Sequence, residues 1–198
     1  MKTLTAMATA LCLMVLAATP EQVLAGGGKG RTCYSTELAS PFPGAQPITG
    51  KSRLCVTHRG INASILAQDL VPGEVYTVWW IYFDDPSLCV GGPVPGTCGE
   101  ADFGGEKPLA VLSRMDGAVA PRKGRRWFTD ALRNFAPSPG SQVWLVLQRH
   151  GPAQEGGEGR ARQLLTHEDY ILGGAPHLTN SIDGQRGFPN SLAVFQLD

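Results

Sequence analysis

The chain has 198 residues, and its 17 Lys and Arg are balanced by 17 Asp and Glu. That balance removes the global electrostatic case for nucleic acid or an anionic membrane surface as partner. Hydrophobic residues make up 42% and fall in periodic runs, which excludes low-complexity disorder, and no internal repeat is present. The 25 Gly and 15 Pro are scattered, favouring many turns between short strands over long helices.

In chain order, residues 1–25 read as a secretory signal peptide. Lys2 leads an apolar run over residues 4–18, and small residues set up a cleavage site at Val23-Leu24-Ala25, before Gly26. The run is too short to span a bilayer of roughly 30 Å, and no later stretch approaches that length. The expected product is a secreted chain of 173 residues, periplasmic or extracellular, with no transmembrane segment. Residues 26–52 are expected to form a loosely structured entry, and residues 53–198 a single domain.

Four cysteines lie beyond the signal: Cys33, Cys55, Cys89 and Cys98. An even count in an exported chain indicates two disulfides. Three connectivities are possible; Cys33–Cys55 with Cys89–Cys98 is preferred because each closes a local loop. A zinc site is the rival, but the chain has no C-x-x-C pair.

Strand candidates follow at residues 53–58 and 61–67. After the turn signal Val71-Pro72-Gly73-Glu74 comes the strongest, residues 75–83, nine consecutive β-branched, aliphatic or aromatic side chains. Further strands are expected at residues 109–112, 143–147 and 192–197, with Met115-Asp116-Gly117 as a turn. The long stretch 151–190 has room for one short helix within 160–171. Six to eight short strands with long loops point to an all-β fold, an antiparallel β-sandwich.

Tyr76-Thr77-x-Trp79-Trp80-x-x-Phe83-x-x-Pro86, two following cysteines and a later His150-Gly151-Pro152 resemble a group of uncharacterised secreted bacterial proteins over residues 53–152. The resemblance implies a secreted β-sandwich and supplies no activity.

Alternation divides the 75–83 strand into two faces. Val75, Thr77, Trp79, Ile81 and Phe83, nearly all apolar, are expected to face the sandwich core. Tyr76, Trp80 and Tyr82 share the other face with Val78, and if open would form a stacking platform for a sugar ring or a protein partner. Beside them, Asp84, Asp85, Glu100 and Asp102 flank the Cys89/Cys98 segment. They could supply hydrogen-bond acceptors for a ligand, Ca²⁺ ligands, or the acid pair of a glycosidase. His58 and His150 end predicted strands and are the pair to test for a metal-dependent enzyme of superoxide-dismutase-like type, although no His-x-His pair is present. Arg122, Lys123, Arg125 and Arg126 form a basic cluster suited to a sulfated or phosphorylated glycan, or to a solvated hairpin turn. A P-loop is excluded because Gly44 and Gly50-Lys51-Ser52 are one residue too far apart, and no Gly-x-Ser-x-Gly elbow exists. Asn62-Ala63-Ser64 is a glycosylation sequon inside a predicted strand. The sequence therefore favours a secreted, non-catalytic β-sandwich with a glycan or cell-surface protein as partner, and nothing in it calls for a cofactor.

Overall fold

The computed structural model describes residues 23–24, 30–39, 48–90, 98–99, 102, 110–157, 160, 164 and 189–198. Its elements are β1 (Val23–Leu24), β2 (Arg31–Glu37), β3 (Gly50–Thr57), β4 (Gly60–Ala67), β5 (Glu74–Phe83), a 3-10 turn (Pro86–Leu88), β6 (Ala110–Val119), β7 (Arg126–Arg133), β8 (Gln142–Pro152) and β9 (Pro189–Gln196). Sheet A has the order β1-β2-β3-β4-β7 and sheet B the order β6-β5-β8-β9. Every pairing is antiparallel. The fold is an all-β sandwich of two antiparallel sheets. The short helix expected within 160–171 falls mostly outside the described residues, but Arg160 and Leu164 have helical backbone, as does Gly157 before them.

Both disulfides have the preferred connectivity, Cys33–Cys55 and Cys89–Cys98. Cys33 and Cys55 are direct cross-strand partners of β2 and β3. Two disulfides point to an oxidising, extracytoplasmic environment. No helix among the described residues is long and apolar enough to cross a membrane.

The segment expected to be a loose entry contains β2, a seven-residue strand paired along its length with β3. Met115, Asp116 and Gly117, expected as a turn, lie inside β6, where a register shift between Val78 and Trp79 absorbs the irregularity. The basic cluster connects β6 of sheet B to β7 of sheet A, so it crosses between sheets and is not a hairpin turn. At that crossing Gly124 adopts φ +60, and a Cβ there would come within 2.7 Å of the Leu70 carbonyl oxygen. The same carbonyl-to-amide approach, Leu70 N donating to Gly124 O at 3.0 Å, ties the crossing to the β4–β5 loop.

At the opposite edge, Ala39 and Leu192 exchange two backbone hydrogen bonds of 2.9 and 2.8 Å, joining the end of β2 to β9. Ser191 Oγ adds to this seam by donating to Ile48 O at 2.8 Å.

The principal core lies between the sheets. Sheet A contributes Leu54, Ile61, Ile65 and Phe128; sheet B contributes Tyr76, Val78, Trp80, Tyr82, Leu145, Leu147 and Phe195. A second, smaller core lies outside sheet B, where Trp79, Ile81, Phe83, Trp144 and Val146 pack with Cys89 and Cys98. The face assignment drawn from sequence is therefore reversed: the Tyr76, Trp80, Tyr82 row points into the sandwich, and the Trp79 row points out. Every residue of β5 is buried. A central strand covered on both faces reads as a continuous apolar run, and such a run does not say which row is inside.

Candidate binding surface

The inward row ends in polar tips, each satisfied at the rim of the core. Tyr76 Oη accepts from Val71 N at 3.0 Å and donates to Glu74 Oε2 at 3.4 Å. Glu74 is in turn clamped by two guanidinium N–H groups of Arg149, that from Nη2 at 2.6 Å. Burial pushes the Tyr76 phenol up, and the Glu74 carboxylate raises the Arg149 guanidinium further. Trp80 Nε1 donates to Asp130 Oδ2 at 3.1 Å. Tyr82 Oη donates to Asp84 Oδ1 at 2.6 Å and accepts from Ser138 N at 3.0 Å. Aromatic residues can be fully buried when the polar end reaches a partner. These three do, so none offers a ring for stacking.

The carboxylates after β5 serve the loop that carries them. Asp84 accepts from Ser138 Oγ at 2.6 Å as well as from Tyr82, and these two bonds, Ser138 first, hold its carboxyl below the usual range. Asp85 caps the 3-10 turn, accepting from Ser87 N at 3.1 Å. Asp102 is buried and accepts from Val90 N at 2.8 Å and Gly99 N at 2.7 Å, on either side of the Cys89–Cys98 bond. A carboxylate held by two backbone N–H groups is a structural clip. One of its oxygens lies within 4.8 Å of both cysteine sulfurs, but those sulfurs are bonded to each other and supply no thiolate for a metal. Glu100 lies outside the described residues.

The two strand-end histidines do not form a pair. His58 is exposed in the β3–β4 turn, where Arg59 Nε donates to its Nε2 at 3.2 Å. His150 is buried on the outer side of sheet B, its Nε2 2.7 Å from Thr77 Oγ1, which also accepts from Trp79 Nε1 at 2.8 Å. Sheet B itself stands between them.

Of the basic cluster, Arg122, Lys123 and Arg125 are exposed, whereas Arg126 is half-buried with its guanidinium carbon 5.7 Å from the Phe128 ring centroid. Arg126 Nε is buried without a hydrogen-bond partner, so this residue belongs to the packing of the crossing rather than to the surface.

The surface that sequence reasoning missed is the outer face of sheet A. Phe128 points into the core, so Trp127, Thr129, Ala131 and Arg133 point out, and all four are exposed. The register aligns them into rows across the strands. Glu37, Lys51, Leu66 and Trp127 form one row; Ser35, Arg53, Ser64 and Thr129 the next; then Cys33, Cys55, Asn62 and Ala131; then Arg31, Thr57, Gly60 and Arg133. Trp127 is 57% exposed, one of three large hydrophobic side chains so exposed among the described residues and the single aromatic one. Arg31, Lys51, Arg53 and Arg133 outnumber the one acid, Glu37, and none of them is in an ion pair among the described residues. The signal for this face was the alternation of residues 126–133, visible once Phe128 is fixed inward.

A concavity at the sandwich end, between Thr32, Tyr34, Val56, Pro137 and Leu197, holds about 100 Å³, room for a few water molecules. No family model, curated protein or solved structure matches this chain.

Proposed function

We propose that the protein is an exported, non-catalytic binding module whose recognition surface is the open outer face of sheet A, with a glycan as ligand. The observation that carries this reading is Trp127, a large aromatic ring exposed on a flat sheet face of hydroxyl, amide and cationic side chains. An indole presents stacking area to the apolar side of a sugar ring and has only two side-chain torsions to fix. Ser64 and Thr129 occupy the neighbouring row and Asn62 the one after, so groups that exchange hydrogen bonds with sugar hydroxyls lie about 7 to 14 Å along the strands from the ring. Export is supported by the signal-like residues 1–25 and by the two disulfides.

The non-catalytic part of the reading follows from where the chemistry-bearing residues are used. Asp84, Asp85 and Asp102 are committed to Ser138 and Tyr82, to the 3-10 turn, and to the disulfide loop, while His58 and His150 lie on different sheets.

The test is retention of the full-length secreted chain on a panel of neutral and acidic polysaccharides, with wild type and Trp127→Ala side by side. Retention on one or more of them, lost in Trp127→Ala while the circular dichroism spectrum is unchanged, is the expected result. Binding that survives Trp127→Ala would place the site elsewhere. Mass spectrometry of the secreted protein should show no free thiol and Gly26 as its first residue, so that β1 leaves with the signal and β2 becomes the edge of sheet A.

A further inference from the structure

Resting on that reading, we infer that the ligand is an anionic polysaccharide, one bearing sulfate or comparable groups, that crosses the strands of sheet A with a sugar ring on Trp127 and acidic groups beside it. The inference comes from the placement of cations around the indole. Across the strands, Lys51 shares the Trp127 row two strands away, about 10 Å at ordinary strand spacing, and Arg53 lies about 7 Å from Lys51 along β3. Beyond the start of β7, Arg125, Lys123 and Arg122 are exposed in the crossing that leads directly into it. The indole thus has cations across the strands and beyond the start of its own strand, and the half-buried Leu66 between it and Lys51 leaves the gap uncharged.

These cations are available. The sole ion pair among the described residues joins Glu74 and Arg149, away from this face. Glu37 lies opposite Lys51 at the β2 margin, and Asp69 is already engaged by Thr49 Oγ1 at 2.5 Å. A chain whose total charge balances has therefore left one face with a cationic excess. Guanidinium groups match the forked geometry of sulfate and carboxylate, and cations spread over several strands of a sheet face suit an extended polymer rather than a small molecule. A neutral sugar has no charge to pair with such an array, and a polyanion without rings gains nothing from Trp127.

The experiment measures affinity of the full secreted chain for heparin, for neutral dextran of similar length and for polyglutamate, at low and physiological salt. The expected result is preference for heparin over both others, with affinity falling roughly tenfold or more between 50 and 200 mM salt. Trp127→Ala should weaken heparin binding about tenfold, and Lys51→Glu with Arg53→Glu by at least as much, with the neutral control unmoved. Polyglutamate bound as tightly as heparin would overturn the role of the ring. Dextran bound equally well, with no salt dependence and with loss in Trp127→Ala, would overturn the anionic ligand and leave the glycan-binding reading standing. Absence of binding to every polysaccharide would remove both.

Discussion

The two sheets follow the same alternation of side chains, yet their outer faces have opposite fates. Outside sheet B, Trp79, Ile81, Phe83, Trp144 and Val146 form an apolar row packed with Cys89 and Cys98, whose bond is flanked by the Asp102 clip. Outside sheet A, Lys51, Arg53, Asn62, Thr129 and Arg133 stay in water, and the Cys33–Cys55 bond ties two strands already in register instead of pinning a cover. A sheet face becomes core only if the chain supplies something to lie on it. Among the described residues, Cys89 and Cys98 lie against the outer face of sheet B, whereas on the outer face of sheet A Cys33 and Cys55 are buried and Trp127 stays exposed.

The comparison can be broken by substitution. Trp80→Ala, in the inter-sheet core, should cost about 3–5 kcal/mol, and Trp79→Ala about as much if the outer core of sheet B is a true core. Urea unfolding of both variants checks this; a cost for Trp79→Ala well under 1 kcal/mol would mean that the cover contributes little. Asp102→Asn comes next, at about 1–3 kcal/mol, because a neutral amide offers one acceptor oxygen where two buried N–H groups now find a carboxylate. The loss should appear with unchanged glycan binding, since the clip lies on the covered sheet.

A smaller effect concerns Asp84. Its carboxyl is depressed below the ordinary aspartate value by Ser138 and Tyr82. A depressed pKa means stability that is fully present above the unfolded-state value, near pH 4, and lost as pH falls through the folded-state value. Carboxyl-detected NMR titration should find Asp84 low in the wild type and nearer its ordinary value in Ser138→Ala, with stability at neutral pH reduced and the acid sensitivity of that site diminished. The smallest expected change in stability is for Trp127→Ala, within about 0.5 kcal/mol of wild type. A larger loss would show that the indole packs on its own sheet and is not held open.

The strand pattern was legible wherever β-branched and aromatic residues ran together, as at residues 75–83, 143–147 and 192–197. The disulfide pairing was legible from loop length. β2 was hidden because Arg31-Thr32-Cys33-Tyr34-Ser35-Thr36-Glu37 is polar and stands near the sheet margin, where only one face carries core residues. The facing of β5 was illegible for a different reason. Both of its rows are apolar enough to be buried, and the phenols of Tyr76 and Tyr82 suggested an outward row. Their partners, Glu74 with Arg149 and Asp84 with Ser138, sit at the two ends of the strand, so the hydroxyls reach the rim while the rings stay inside. The open face was missed because Trp127 adjoins a basic run in sequence and joins Lys51 and Arg53 only through the register of β3, β4 and β7.

The seam between the beginning and the end of the sandwich has a consequence for the order in which the protein can be made. Ile48 and Ser191 bond across 143 residues, and Asp198 N donates to Tyr34 Oη across 164. Ala39 and Leu192 zip the same edge. β8 remains without β9, and β2 without its neighbour across the seam, until residues 189–198 have been made. Closure over such separations is slow compared with the pairing of adjacent hairpins. Neighbouring hairpins can therefore form first, and the seam that joins the two sheets closes only when residues 189–198 reach Ala39 and Ile48.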